Sequence, residues 1–169
     1  MYIDLIIILL LIFLLVFLWI SYTKIFGAEF VRMPKYDREV ILKMLNLSKK
    51  DIFYDLGCGD ASLIIQASPK VKKAVGIEID PIRFLISMLK VKIKKIKNIR
   101  IIYSNLFNIL LSEATAIAIF LSKEANVKLG HKLKQELKKK TLIASYRWPV
   151  PYLKLISHNA KHRIFLYTT

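Results

Sequence analysis

The stretch that most constrains the fold is residues 52–61, which read Ile-Phe-Tyr-Asp-Leu-Gly-Cys-Gly-Asp-Ala. Its first half is apolar, aromatic and β-branched, which is typical of a buried strand. Gly57 and Gly59 follow, and residues 62–67 are compatible with a helix. The order strand, tight glycine turn, helix is typical of a nucleotide-binding turn, because it brings backbone N–H groups up to a ligand.

A second strand, predicted over residues 73–79, carries Glu78 near its end, where a carboxylate can accept hydrogen bonds from two ribose hydroxyls. Asp55 lies two residues before Gly57, as in the glycine motif of S-adenosylmethionine-binding methyltransferases. A dinucleotide fingerprint needs a third glycine where this chain has Ser62. The pattern therefore favours S-adenosylmethionine over a dinucleotide, with a purely structural turn as the remaining alternative.

The N-terminal segment is apolar and contains no charged residue from Leu5 to Ile20. Since a helix rises about 1.5 Å per residue, about 20 residues cross a hydrocarbon core of about 30 Å. Trp19 and Tyr22 lie where interfacial aromatic side chains are expected. The segment predicts a transmembrane helix; a cleaved signal peptide is the alternative, but neither a basic leader nor a small-residue cleavage site is present.

We therefore predict a transmembrane anchor at 1–23, a linker at 24–35 and a catalytic domain at 36–169. Four basic residues follow the predicted span: Lys24, Arg32, Lys35 and Arg38. The positive-inside rule then predicts a single-pass membrane protein with its domain on the cytoplasmic side.

Composition adds weaker constraints. The formal net charge is +16 and 55% of the residues are hydrophobic. Such a charge suits nucleic acid, an anionic membrane surface or an acidic partner, but a general bias towards Ile and Lys explains it as well. The single cysteine, Cys58, excludes an internal disulfide. The three histidines are scattered and have no cysteine partners at metal-binding spacing, so no metal site is predicted.

Strands and helices alternate through most of the chain. Strands are predicted at 52–56, 73–79, 99–103, 115–121, 141–146, 152–157 and 163–168, with helices at 36–47, 62–67, 81–95 and 122–140. The last two strands alternate as an antiparallel pair. The fold class is therefore α/β: a three-layer sandwich with a seven-stranded, mostly parallel sheet, a C-terminal antiparallel hairpin and one preceding transmembrane helix. With the glycine motif after its first strand, this sandwich resembles the Rossmann-like class I methyltransferase fold.

Two features of the predicted sheet admit both a functional and an ordinary interpretation. Asn105 follows the third strand at the edge where ligands bind, and its amide can pair with an adenine amino group, although a plain loop residue fits too. Lysines crowd the end of the helix at 81–95, which suits either a solvated face or contact with anionic lipid headgroups. His131 is expected on the surface.

Five segments, taken together, resemble the small class I protein-lysine N-methyltransferases of archaea and mitochondria, the group that includes the ATP synthase c-subunit lysine methyltransferase. These are residues 31–34, 54–60, 75–78, 104–107 and 146–151. The resemblance covers roughly residues 30–169, and Arg-Trp-Pro-Val-Pro at 147–151 is its most family-specific part. It implies S-adenosylmethionine as the cofactor and a lysine-bearing protein as the substrate. An RNA acceptor rests on the net charge alone, so nucleic acid is an unlikely partner.

The chain departs from the family pattern at three positions: Met33 replaces a threonine, Ala61 a glycine and Asn105 an aspartate. These departures raise the question of a weakened or redirected enzyme. The Asn/Asp-Pro-Pro-aromatic motif of amide and base methyltransferases is absent after the fourth strand, where residues 120–123 read Phe-Leu-Ser-Lys. This argues against an amide or base acceptor.

Methyl transfer to an amine requires positioning and exclusion of water more than an acid–base catalyst. An apolar channel favours a neutral lysine, and aromatic faces attract a sulfonium. The channel candidates are Tyr36, Tyr146, Trp148 and Tyr152; the cofactor-binding candidates are Asp55, Gly57, Gly59, Glu78 and Asn105. The predicted function is a membrane-anchored protein-lysine methyltransferase acting on membrane-associated proteins; a lipid or quinone methyltransferase and a non-catalytic cofactor-binding scaffold are the alternatives.

Overall fold

A computed structural model describes residues 2–26 and 31–169. The chain divides into two compact units, residues 1–31 and 32–169. The helices are α1 (Tyr2–Phe26), α2 (Lys35–Met44), α3 (Ser62–Ala67), α4 (Pro81–Ile93) and α5 (Lys123–Glu136). The strands are β1 (Ile52–Leu56), β2 (Lys73–Glu78), β3 (Ile99–Tyr103), β4 (Ala116–Ile119), β5 (Leu142–Tyr146), β6 (Lys154–Asn159) and β7 (Ile164–Thr168).

The first unit consists of α1, an almost entirely apolar helix. Its window Tyr2–Trp19 has a mean hydropathy of 3.0 and none of it is buried. Among the described residues, α1 is the one helix long and apolar enough to cross a membrane, a property that signal sequences share. The helix ends at Phe26, three residues beyond the predicted anchor, and residues 27–30 of the predicted linker lie outside the described residues.

The second unit is built on one seven-stranded sheet in the order β3-β2-β1-β4-β5-β7-β6. The first five strands in this order run parallel, while β7 pairs antiparallel with β5 and with β6. This confirms the predicted mixed sheet with its C-terminal hairpin. Strand β4 is buried throughout and lies at the centre of the sheet, as its apolar sequence predicts.

Some predicted boundaries are wrong. Strand β6 begins at Lys154 rather than at residue 152, because Tyr152 has a left-handed backbone (φ +69°) that no strand accommodates. Helix α5 ends at Glu136 rather than at residue 140, since Leu137 is extended. Helix α4 ends at Ile93, and the next turn closes with Lys95 at φ +52°.

Helices cover both faces of the sheet. On one face, α2 and α3 pack over small residues of the strands, among them Ala74, Ala116, Ala118 and Ala144. On the other, α5 buries Leu129 and Leu133 against larger aliphatic side chains. Because β1, β2, β3, β4 and β5 are parallel, their carboxyl ends and the loops that follow them meet at one edge of the sheet, where the candidate site lies.

Candidate active site

The glycine turn after β1 depends on left-handed backbone conformations. Gly57 has φ +82°, Gly59 φ +55° and Ala61 φ +61°. The amides of Gly57 and Cys58 both donate to the carbonyl of Ile77, at 2.9 and 3.0 Å, which ties the turn to β2. A left-handed conformation costs a non-glycine residue roughly 1–2 kcal/mol, so the glycine at position 61 in the family pattern has a backbone reason. Ala61 adopts the conformation nonetheless, with its methyl group fully buried.

Glu78 ends β2 directly beside this turn and is 6% exposed. One carboxylate oxygen accepts from the Gly59 amide at 2.8 Å, and the other accepts from the amides of Ile79 and Asp80 at 2.9 and 2.8 Å. A carboxylate has about four acceptor positions, so about one is left for a ligand hydroxyl. Glu78 therefore holds the glycine turn in place and can accept from a ribose at the same time.

A second acid, Asp55, is buried at the end of β1. Its strand neighbours in register are Gly76 and Ala118, whose small size leaves room for the side chain. Burial, reinforced by the negative charges of Glu78 and Asp60, raises the pKa of Asp55 to about 7.

Asp60 is the third acid of the turn and is neutralised by cations. Lys90 of α4 lies 2.8 Å away and Arg32 2.6 Å away, and the Ser62 amide donates at 3.1 Å. Although burial alone would raise the pKa of Asp60, the hydrogen bonds from Lys90, Ser62 and Arg32 lower it far below its usual range. Arg32, which belongs to the segment where the family pattern differs, thus anchors the chain before α2 to the glycine turn.

Asn105 follows β3 and is half-buried. Its Oδ1 accepts from the Phe107 amide at 3.0 Å and so caps the short 3-10 turn Leu106–Asn108. A side-chain amide oxygen has a second acceptor position, so a ligand amino group can still be accepted there. The departure from aspartate therefore leaves both the cap and the acceptor intact.

A different polar group forms where β5 ends. The Tyr146 hydroxyl donates to Asp37 of α2 at 2.6 Å, and His162 Nδ1 lies 2.7 Å from the other oxygen of the same carboxylate. Tyr36 packs on the His162 ring with centroids 4.9 Å apart. Burial and the hydrogen bond to Asp37 raise the pKa of Tyr146. Asp37 and His162 were not singled out in the sequence, because 125 residues separate them and only the fold brings them together.

The aromatic surroundings of Tyr146 come from β4 and the loop after β5. Phe120 meets the Tyr146 ring edge-on at 4.7 Å, and the Arg147 guanidinium lies 5.5 Å from the centroids of both rings. Phe120 occupies the position where amide and base methyltransferases carry their polar motif. The surroundings of Tyr146 at this end of the site are therefore aromatic.

The four predicted channel residues do not form one cluster. Tyr36 and Tyr146 share the Asp37–His162 pair, whereas Trp148 lies under the Arg163 guanidinium at 5.6 Å. Tyr152 stacks on the exposed ring of His131 on α5, with centroids 3.9 Å apart. The predicted surface position of His131 is confirmed.

The loop that carries Trp148 is held by a buried amide. Asn126 of α5 donates to the hydroxyl of Ser145 at 3.1 Å and to the carbonyls of Trp148 and Pro149 at 3.0 and 3.4 Å. The Ser145 hydroxyl also donates to the Trp148 carbonyl, at 2.6 Å. Three hydrogen bonds from two side chains thus fix the Arg-Trp-Pro-Val-Pro segment, which explains how an irregular loop keeps one conformation at the edge of the site.

The fold and the acid-lined glycine turn define a class I S-adenosylmethionine-dependent methyltransferase. A family model described as "ANTKMT methyltransferase domain" matches residues 55–157. A protein-lysine N-methyltransferase from Saccharolobus islandicus (strain REY15A) is 33% identical over 147 residues, which cover 82% of this chain and 91% of the relative. The chain therefore belongs to the protein-lysine N-methyltransferase family, as the resemblance predicted.

Solved structures agree with this fold. An RNA methyltransferase from Salinibacter ruber in complex with S-adenosyl-L-homocysteine is similar with a TM-score of 0.75 and 26% identity, over 82% of this chain and 92% of that one. A SAM-dependent methyltransferase from Aquifex aeolicus gives a TM-score of 0.65 at 17% identity, over 78% and 88% of the two chains. At that lower identity the likeness concerns the fold alone.

Proposed function

We propose that this chain is a membrane-anchored enzyme that methylates lysine side chains of membrane-associated proteins at the cytoplasmic surface. One observation carries the cofactor part of the proposal: the Glu78 carboxylate lies 2.8 Å from the Gly59 amide at the carboxyl edge of the sheet. This geometry supports a ribose acceptor beside the glycine turn. The family supplies lysine as the acceptor, and α1 supplies the membrane.

Five residues hold the cofactor in this proposal. Gly57 and Gly59 leave space along the turn, Glu78 accepts from the ribose, and Asn105 accepts from the adenine amino group. Asp55 lies beneath the turn, where its carboxylate favours a ligand that carries positive charge. The residues present thus fit a cationic cofactor, because three acids meet at the turn and the two nearby cations, Lys90 and Arg32, are held by one of them, Asp60.

The acceptor lysine enters on the side of Tyr146. The Asp37 carboxylate attracts the lysine ammonium at the entrance, where the Tyr36 ring is exposed. The rings of Phe120 and Tyr146 favour the neutral form of the lysine once it leaves water. S-adenosylmethionine supplies a methyl group on a sulfonium, to which the neutral amine can bond as the sulfur departs. Trp148 and Tyr152, which are exposed, contact the substrate polypeptide outside the channel.

The membrane part rests on α1 and on the basic residues after it. A spanning helix with Lys24, Arg32, Lys35 and Arg38 on its C-terminal side has the domain in the cytoplasm by the positive-inside rule. Tethering raises the effective concentration of membrane-bound targets without any new contact. In this arrangement the protein comprises an anchor at 1–23, a linker at 24–35 and the methyltransferase domain at 36–169.

The first test is calorimetric titration of the full chain in mild detergent with S-adenosylmethionine and with S-adenosylhomocysteine. Glu78→Ala is expected to lose binding by at least tenfold, since a hydrogen bond to a charged group contributes roughly 1.5–3 kcal/mol. Glu113→Ala is the matched control, because Glu113 pairs with Lys73 before β4 and far from the glycine turn. Equal binding by wild type and Glu78→Ala would refute the assigned site.

The acceptor and the sidedness need separate experiments. Mass spectrometry of membrane proteins and lipids from a strain lacking the gene should show loss of methyllysine from proteins and no change in lipid methylation. Loss of a lipid or quinone methyl group with intact protein methylation would contradict the lysine assignment. Protease digestion of sealed vesicles of known orientation should degrade the domain only from the cytoplasmic side.

A further inference from the structure

Helix α4 has an unusual exposed surface for a helix on the outside of a sheet. Five large aliphatic side chains point away from the protein: Ile82, Leu85, Ile86, Leu89 and Ile93, with Leu85 and Leu89 58% and Ile93 68% exposed. A helix on the surface of a soluble domain normally turns polar residues outwards. This apolar face has no covering element in the part of the chain that the structure describes.

The spacing of these residues shows that they form one continuous stripe. At 3.6 residues per turn, positions 82, 85, 86, 89 and 93 fall on a single face of the helix. The opposite face, centred on the fully buried Ser87 and the partly buried Val91, packs on β2 and β3. The most apolar side of α4 is therefore the side farthest from the core.

Cations border this stripe. Lys92 flanks it within α4, and Lys94, Lys95 and Lys97 follow directly, all of them exposed. Between Pro81 and Ser112 the sequence contains no aspartate or glutamate. The acids that pair with α4, Asp80 with Arg83 and Asp60 with Lys90, contact cations other than these lysines. An apolar stripe bordered by lysines is typical of helices that lie in the plane of a membrane surface.

We propose that the exposed face of α4 inserts into the headgroup region of an anionic lipid bilayer and forms a second membrane contact, in addition to α1. The aliphatic side chains enter the boundary between headgroups and acyl chains, and the lysines pair with lipid phosphates and other anionic headgroups. An acidic protein partner would match the lysines but not the stripe, and a second copy would bring two cationic borders together. Anionic lipid satisfies both features.

This second membrane contact rests on the proposed function in one respect: α1 brings the domain to the bilayer. Its consequence concerns orientation. Helix α4 begins at Pro81, three residues after Glu78, so the contact would hold the β2–β3 side of the glycine turn near the lipid surface. A domain attached through α1 alone would have no such fixed orientation.

The test places a nitroxide label on the stripe. Leu89→Cys in the full chain is labelled and reconstituted into vesicles of phosphatidylcholine alone or phosphatidylcholine mixed with phosphatidylglycerol. The native Cys58 is buried and does not compete for the label. Collision with oxygen, which partitions into lipid, and with a water-soluble nickel complex reports depth. Lys128→Cys, exposed on α5 against the other face of the sheet, is the matched control position.

We expect the label at position 89 to be shielded from nickel and accessible to oxygen in anionic vesicles, and the label at 128 to stay in water. A water-exposed label at 89 in anionic vesicles would overturn the proposal. Equal shielding in neutral vesicles would overturn the role of the lysines. Shielding in detergent together with dipolar broadening between labels would show that a second copy covers the stripe, and would likewise overturn it.

Charge variants in the labelled Leu89→Cys chain test the role of the lysines. Lys92→Gln, Lys94→Gln, Lys95→Gln and Lys97→Gln should each shift the equilibrium between shielded and exposed label by about fivefold, since one lysine near an anionic surface contributes about 1 kcal/mol. Lys128→Gln should have no effect. Binding of S-adenosylmethionine should be unchanged in all these variants, so that failure of the lipid contact is distinguishable from failure of the cofactor site.

Discussion

The buried carboxylate of Asp55 makes a quantitative prediction about stability. Asp55→Asn keeps the size of the side chain and removes its titration. In the folded protein the pKa of Asp55 is about 7, against a usual value of 3.8. Between these two values the unfolded chain releases the proton and the folded chain keeps it, so the folded state binds more protons and its stability falls as the pH rises.

The size of the effect follows from the same two values. The free energy of unfolding of the wild type should fall by about 1.4 kcal/mol per pH unit between about pH 4 and pH 7, a total of roughly 4 kcal/mol. Above pH 7 both states are ionised and the loss is complete. Because Asp55 is only 6% exposed, solvent screens the effect little. At pH 8 the variant should therefore be more stable than the wild type.

Urea unfolding of the full chain in mild detergent, followed by tryptophan fluorescence at several pH values, measures this difference. Asp51→Asn is the matched control on the amino side of the same strand. There, hydrogen bonds from Ser48 and Thr115 outweigh burial and lower the pKa of Asp51, so its contribution is present above its usual pKa and is lost on acidification. Parallel pH profiles for wild type and Asp55→Asn would refute the argument.

Two further variants test the two ends of the site. Gly57→Ala should destabilise the protein by roughly 1–2 kcal/mol, because φ is +82° and the new methyl group would lie 3.1 Å from Leu121. Thermal melting measures this loss. If an added Leu121→Ala restored the stability, the contact with Leu121 rather than the backbone conformation would be the main cause. Tyr146→Phe removes the hydroxyl that donates to Asp37 and should lower kcat/KM for the lysine substrate about tenfold or more while leaving calorimetric S-adenosylmethionine affinity intact. An equal loss of cofactor affinity would instead place Tyr146 in the cofactor site.

Local sequence was sufficient for the strands, the glycine turn and the sheet class. In the run before Gly57 and in β4, consecutive apolar residues are sufficient to predict a buried strand. Family resemblance supplied the acceptor class, which the glycine motif alone does not contain. The predicted ends of helices and strands were wrong where a single residue adopts an irregular backbone conformation, as Tyr152 does at φ +69° before β6.

The acceptor end was predicted only in part, because its chemistry is made by contacts between distant residues. Nothing in the first turn of α2 indicates that Asp37 will meet a histidine 125 positions later. The four aromatic candidates were chosen by residue type, and only two of them share a cluster. Likewise, the sequence shows the lysines at the end of α4. It does not show which face of the helix packs on the sheet, so the exposure of the apolar stripe became evident only from the structure.

Ala61 limits the range of residues that the glycine turn tolerates. Its fully buried methyl group leaves no room for a larger side chain, and its left-handed backbone disfavours any residue with a β-carbon. Glycine would relieve the backbone but would give up the buried methyl and make the unfolded chain more flexible. The opposing contributions are of similar size, so a saturation library at this position should retain alanine and glycine at comparable frequency and lose the other residues.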